Sequence, residues 1–218
     1  MTIVPMNVKA AQFERQARDN IVQSALALNR SGVQFEVFEK SRCNEHYWIR
    51  TANGGFLLKP TAVPSVAIRD IYSSGPLYAF ECATAIVIVL YKAVLDSLGE
   101  RIFDELFANI FLRDWHYDAD LRLKVIQGLA VKPGDVVYFR NPDVNPLTPQ
   151  WQGENAVVLP NHLYYGHGMG VLSGVEIIAK LNAYRKTGSV KSAYLTETVL
   201  QLDYLNLYAL GNIQAATS

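Results

Sequence analysis

The run Ala83-Thr-Ala-Ile-Val-Ile-Val-Leu-Tyr-Lys-Ala-Val-Leu95 constrains the fold more than any other stretch. It is too long for a strand and is apolar on every face except near Lys92. A helix without a polar face has to be enclosed by the rest of the molecule. The pattern therefore predicts a central buried helix ending near Gly99. A membrane span would need roughly 20 apolar residues, and this run is far shorter. Enclosing such a helix takes a sizeable core. The chain has 218 residues, half of them hydrophobic and 18% charged, which supplies that core and excludes disorder from end to end.

Other periodicities surround this helix. Asp19 to Ser31 places Ile21, Val22, Ala25, Leu26 and Leu28 roughly on one helical face, closed by Gly32. Val33 to Glu39 alternates apolar and polar residues, which predicts a half-buried strand. His46 to Arg50 is a second strand, and Gly54-Gly55 is the turn into a third at Phe56 to Leu58. Lys59 to Pro76 contains Pro60, Pro64, Gly75 and Pro76 and reads mostly as loop. After the buried helix come a helix at Glu100 to Asn109 and a strand at Ile110 to Arg113. Strands follow at Asp135 to Phe139, Asn155 to Leu159 and Leu163 to Tyr165, then a helix at Gly174 to Lys186. This order argues for an α+β fold rather than a doubly wound sheet. No repeat and no linker rich in Gly, Ser or Pro divides the chain, so residues 1–218 read as one domain.

Twenty basic residues balance twenty acidic ones. No basic stripe is present, which excludes nucleic acid as a main partner, and no apolar run is long enough for a membrane. Zero net charge removes long-range repulsion between copies and favours dense assemblies, without fixing an oligomeric state. Two cysteines, Cys43 and Cys82, are too few for a disulfide framework. The N-terminus MTIVPMNVKAAQFERQ lacks the features of a secretory signal, so the expected site of synthesis is the cytoplasm, with reduced thiols. No phosphate-binding glycine loop, Cys pair or HExxH spacing is present, so neither nucleotide binding nor a zinc site is expected.

Four residues stand out chemically. Cys82 heads the buried helix, where free N–H groups and the positive dipole end favour a thiolate; the competing reading is a cysteine that fills space. Glu81, beside it, either takes the thiol proton or merely suits a helix start. Glu154, in Trp151-Gln-Gly-Glu-Asn155, stands at a strand entrance beside Gly153, or is a solvated turn residue. His167 lies among three glycines in Gly166-His-Gly-Met-Gly170, a context that leaves an imidazole accessible. His46 and His116 have aromatic neighbours and read as packing, and His162 reads as exposed. A helix-start Cys with a Glu and a His on later strands is the pattern of cysteine acyl transfer.

Ala79-Phe-Glu-Cys-Ala-Thr-Ala-Ile-Val-Ile88, Asp114-Trp-His-Tyr117, Trp151-Gln-Gly-Glu-Asn155 and Gly166-His-Gly-Met-Gly170 closely resemble the spore-coat transglutaminases of Bacillus-type spore formers. Ala67-Ile-Arg-Asp70, Gly75 to Phe80, Lys180-Leu-Asn182 and Ser192-Ala-Tyr-Leu195 fit the same family, in order along most of the chain. The resemblance implies a papain-like, NlpC/P60-related core, with the buried helix carrying the nucleophilic Cys against an antiparallel sheet. It implies protein-glutamine γ-glutamyltransferase activity without calcium or another cofactor, forming isopeptide cross-links between spore coat proteins with release of ammonia. Carried over, the nucleophile is Cys82, the acid/base Glu154, the supporting histidine His167 and the second carboxylate Glu81. Phe35, Trp115 and Trp151 match aromatic positions lining the passage to the thiol, each with a core-packing alternative. The implied setting is the mother-cell cytoplasm and then the spore coat. Two alternatives stay open: a related cysteine amidase or peptidase, in which water takes the place of the amine, and a non-catalytic coat protein.

Overall fold

The computed structural model describes residues 6–128 and 130–216. The first five residues of the segment read as lacking a secretory signal lie outside them. The chain opens with α1 (Met6–Arg30), β1 (Gln34–Phe35), β2 (Trp48–Arg50), β3 (Phe56–Leu58), α2 (Pro64–Ser73) and β4 (Ala79–Phe80). It continues through α3 (Cys82–Leu98), α4 (Glu100–Leu106), β5 (Phe111–Leu112), β6 (Leu123–Gln127), β7 (Val136–Arg140) and β8 (Gly153–Val158). The last elements are β9 (Leu163–Gly166), β10 (Gly170–Ser173), α5 (Gly174–Ala183), β11 (Tyr194–Leu202) and α6 (Tyr204–Ala216).

The Ile-Val-Ile-Val segment of α3 favours strands on local preference, yet it is helical. Unfavourable helix propensity costs each β-branched residue at most about 0.7 kcal/mol. Full burial of such a side chain is worth about 1.5–3 kcal/mol, so packing wins. Ile86, Val87, Ile88, Val89 and Leu95 are all fully buried. Gly99, at a φ of 83°, ends the helix in a conformation that suits glycine, and its N–H donates to the Leu95 carbonyl. Helix α3 packs against α1 and against β8 of a six-stranded antiparallel sheet. That sheet has the order β10-β9-β8-β7-β11-β6. A three-stranded antiparallel sheet, β2-β3-β5, and the parallel pair β1-β4 complete the architecture. The fold is α+β, with the buried helix lying against an antiparallel sheet.

Two expectations are corrected. Alternation over Val33 to Glu39 yields only the two-residue β1, because just Gln34 and Phe35 find partners, in Ala79 and Phe80. The chain then turns into a 3-10 helix at Phe38–Lys40. The proline-rich stretch after Lys59 contains a full helix, α2. Pro64 stands at its first position, where a missing N–H costs nothing, and Ala67, Ile68 and Ile71 are buried. Elements β6, β10, β11 and α6 were not expected from the sequence at all.

Candidate active site

Helix α3 begins with free N–H groups that need acceptors, and the residue before it provides them. The Glu81 carboxylate accepts from the Ala83 N–H at 2.9 Å, the Thr84 N–H at 2.7 Å and the Thr84 hydroxyl at 2.9 Å. This capping fixes Glu81 beside the thiol, and Cys82 Sγ donates to Glu81 Oε2 at 3.6 Å. Thr84 Oγ1 also accepts from the Asp114 N–H at 2.9 Å, which ties the loop carrying Trp115 to the same helical turn. Both readings of Glu81 therefore apply: it caps the helix and it touches the thiol.

Strand β8 brings the next two groups. Asn155 donates from Nδ2 to Cys82 Sγ at 3.5 Å. Glu154 is 1% exposed, and its Oε1 has no hydrogen-bond partner. A glycine on the neighbouring strand makes room for it. A Cβ at Gly166 would lie 2.8 Å from Glu154 Cγ and 2.9 Å from Oε1. Burial, and then the Glu81 charge, hold the Glu154 carboxyl well above the usual carboxylate range, while the His167 backbone N–H pulls the other way. Burial and the Glu81 charge thus favour the protonated form of Glu154.

The same causes act on the thiol. Burial comes first, followed by Glu154 and Glu81, and together they raise Cys82 well above an ordinary cysteine; Asn155 opposes them through its backbone and side-chain N–H groups. The expected lowering by the helix start is overturned, chiefly because burial outweighs it, and Glu81 also occupies the N–H groups of Ala83 and Thr84. Cys82 nonetheless keeps part of its surface open, at the floor of a cleft of about 1130 Å³.

His167 is not accessible, which corrects the reading of its glycine-rich surroundings. It is 4% exposed, with Nε2 3.2 Å from the Gln34 carbonyl and Nδ1 3.1 Å from the Tyr165 hydroxyl. A carbonyl only accepts, so Nε2 carries the proton and Nδ1 accepts from Tyr165. Burial lowers its pKa to about 4, which leaves the ring neutral. The ring lies 5.0 Å from that of Phe80. The glycines serve close packing rather than access: a Cβ at Gly168, whose φ is +90°, would lie 2.8 Å from Phe35 Cγ.

Phe35 and Trp115 line the cleft with Cys82, Glu81, Tyr138 and Asn155. Trp151 stands behind this wall, stacked on Phe35 at 5.2 Å and on Tyr184 at 4.7 Å. Sequence reasoning passed over Asn155 and Thr84. The signal for Asn155 was its place in β8 next to Glu154: it pairs with Tyr138, and both line the cleft with Cys82. Cys43 is half-buried with its thiol pushed up to about 11, consistent with an unreactive side chain. His46 and His116 meet Tyr47 and Phe111 edge-on but are exposed rather than packed in the interior, and His162 is exposed, as expected. Among the described residues, no three His, Cys, Asp or Glu side chains are gathered to hold a metal ion.

A thiol heading a buried helix that lies against an antiparallel sheet defines the papain-like class of cysteine enzymes. A solved transglutaminase from Geobacillus stearothermophilus, without its C-terminal extension, shares the fold of this chain. The two are similar with a TM-score of 0.88 and 48% identity, over 93% of this chain and 96% of that one. The chain belongs to the protein-glutamine gamma-glutamyltransferase family, whose sequence model matches residues 6–211. It is 50% identical over 191 residues to the Bacillus cereus (strain B4264) protein-glutamine gamma-glutamyltransferase, covering 88% of this chain and 69% of that protein. The enzyme of the same name from Bacillus mycoides (strain KBAB4) is 49% identical over the same shares. The chain is thus a transglutaminase, an acyltransferase.

Proposed function

We propose that the chain joins glutamine side chains of spore coat proteins to lysine amines as ε-(γ-glutamyl)lysine isopeptide bonds, releasing ammonia without calcium or another cofactor. The observation that carries the chemistry is the Cys82 thiol donating to the Glu81 carboxylate, with the buried Glu154 carboxyl, whose protonated form burial favours, acting on the same sulfur. The resemblance to spore-coat enzymes supports the setting: synthesis in the mother cell and deposition in the coat.

In this reading Glu81 takes the Cys82 proton, and the sulfur attacks the glutamine carboxamide carbon. Glu154 gives its proton to the departing nitrogen, so ammonia leaves and a thioester remains. Glu154, now a carboxylate, withdraws a proton from the lysine ammonium, whose ordinary pKa is about 10.4. The free amine attacks the thioester, and the sulfur departs and recovers a proton. The surplus proton leaves with ammonia as ammonium. Phe35 and Trp115 favour the alkyl stem of the lysine and thin out competing water, and Trp151 props Phe35. His167, neutral and pinned, orients the wall and carries no charge.

The test is incorporation of a fluorescent primary amine into a glutamine-containing protein without calcium, beside Cys82→Ala. Incorporation lost in the variant supports transfer. Ammonia without incorporation indicates an amidase, and neither signal indicates a structural coat protein. Purified coat proteins are then compared with a generic acceptor, and equal rates on both would remove the coat from the reading.

A further inference from the structure

A thiol attacking a carboxamide creates an oxyanion, and the helix start does not serve it in the simple way. The Ala83 and Thr84 N–H groups, which a dipole argument would assign to that anion, are both bonded to the Glu81 carboxylate. Of the other two side chains acting on the sulfur, Glu81 is the acceptor of the thiol proton, and Glu154 commits its proton to the departing nitrogen in the proposed step. A negative oxygen forming there needs a neutral or positive donor.

We infer that Asn155 is a catalytic residue whose side-chain amide stabilises the oxyanion formed when Cys82 attacks the substrate glutamine. Its Nδ2 lies 3.5 Å from Cys82 Sγ, on the wall of the cleft that holds the thiol. The new oxygen lies one carbon beyond the sulfur, so a donor that touches sulfur at rest can transfer to the oxygen with a small rotation. Productive donors sit about 2.7–3.1 Å from an oxyanion. The backbone of β8 holds Asn155 in place through its pairing with Tyr138. In the step itself the S–C bond forms and the C=O π pair moves onto oxygen, which accepts from Nδ2–H. The pair then returns as the C–N bond breaks and ammonia leaves with the proton from Glu154. The amide lends a hydrogen bond and transfers no proton.

This assignment rests on the transferase reading, and its test separates the two. Acylation is read as first-turnover ammonia release from a glutaminyl peptide. Alkylation of Cys82 by iodoacetamide, a displacement at carbon that creates no oxyanion, is read on the same samples. Loss of one oxyanion donor typically costs about 10²–10³ in kcat. Asn155→Ala is expected to slow acylation by that order with little change in KM, and to slow alkylation far less. Asn155→Asp, which keeps the shape and loses the donor, is expected to be at least as slow. Equal losses in both reactions would mean that Asn155 acts on the sulfur alone and would overturn the assignment, as would full acylation by either folded variant. A native chain that is alkylated yet neither releases ammonia nor incorporates amine defeats the transferase reading, and this assignment with it.

Discussion

His167 allows a quantitative prediction, because burial sets its pKa at about 4, against 6.5 for a free histidine. The folded value is depressed, so below pH 6.5 the unfolded chain binds more protons than the folded one. Stability is therefore lost as pH falls from about 6.5 towards 4 and levels off below that. At pH 4.5 the unfolded-state imidazole is almost fully charged and the folded one mostly neutral, which favours unfolding by roughly 2–3 kcal/mol. At pH 7.5 the same contribution is close to zero. Other groups titrate over this range, and comparison with His167→Gln cancels them. Urea unfolding, followed by fluorescence of the fully buried Trp48, is measured at both pH values on both proteins. The native chain is expected to lose roughly 2–3 kcal/mol more than the variant. Equal losses, or an NMR titration of His167 near 6.5, would refute the claim that the ring is a neutral packing element.

Gly166→Ala drives a Cβ to 2.8 Å from Glu154 Cγ; it should lower stability by about 1–3 kcal/mol and slow amine transfer, while Gly174→Ala, with nothing nearer than 3.4 Å, should do neither. Thermal unfolding and the amine assay check both. Glu81→Ala removes three capping hydrogen bonds and should cost about 1–2 kcal/mol, whereas Glu81→Gln keeps an acceptor and should cost less in stability than in rate. The rate of Cys82 alkylation should still climb as pH passes 9.0, the ordinary thiol value; a plateau below that would contradict the raised thiol pKa. Cys43→Ser should leave transfer unchanged, as judged by the same assay.

Segments whose pattern has a single physical solution were legible in the sequence. An apolar run too long for a strand and too short for a membrane could only become α3. The Gly54-Gly55 turn delivered β3 at Phe56–Leu58, as expected. Elements whose existence depends on distant partners were not legible. The length of β1 is set by β4, 45 residues later, through the Gln34–Ala79 pairing. Helix α2 was hidden because proline disrupts a helix interior yet suits its first position. At the site, Cys82, Glu81 and Glu154 are close as the sequence suggested, but their charge state was not readable. The helix-start effect is local in sequence, whereas the burial that outweighs it comes from the sheet. The glycines around His167 misled for a related reason. Glycine marks close approach, and the sequence does not say whether solvent or an aromatic ring makes that approach.

Glu81 and Glu154 are attached to the thiol in different ways. One peptide bond and a cap hold Glu81 beside Cys82, so their separation survives any motion that leaves the first turn of α3 intact. Glu154 reaches the thiol only through the packing of β8 against α3. Slight parting of helix and sheet, under heat, pressure or an unsuitable substrate, would leave the first pair intact and uncouple the second. Such a molecule would keep a thiol with a proton acceptor while the buried carboxyl on the sheet had moved away. Inactivation would then precede unfolding and be reversible on cooling, and the enzyme would act as a gauge of how tightly its own layers are pressed together.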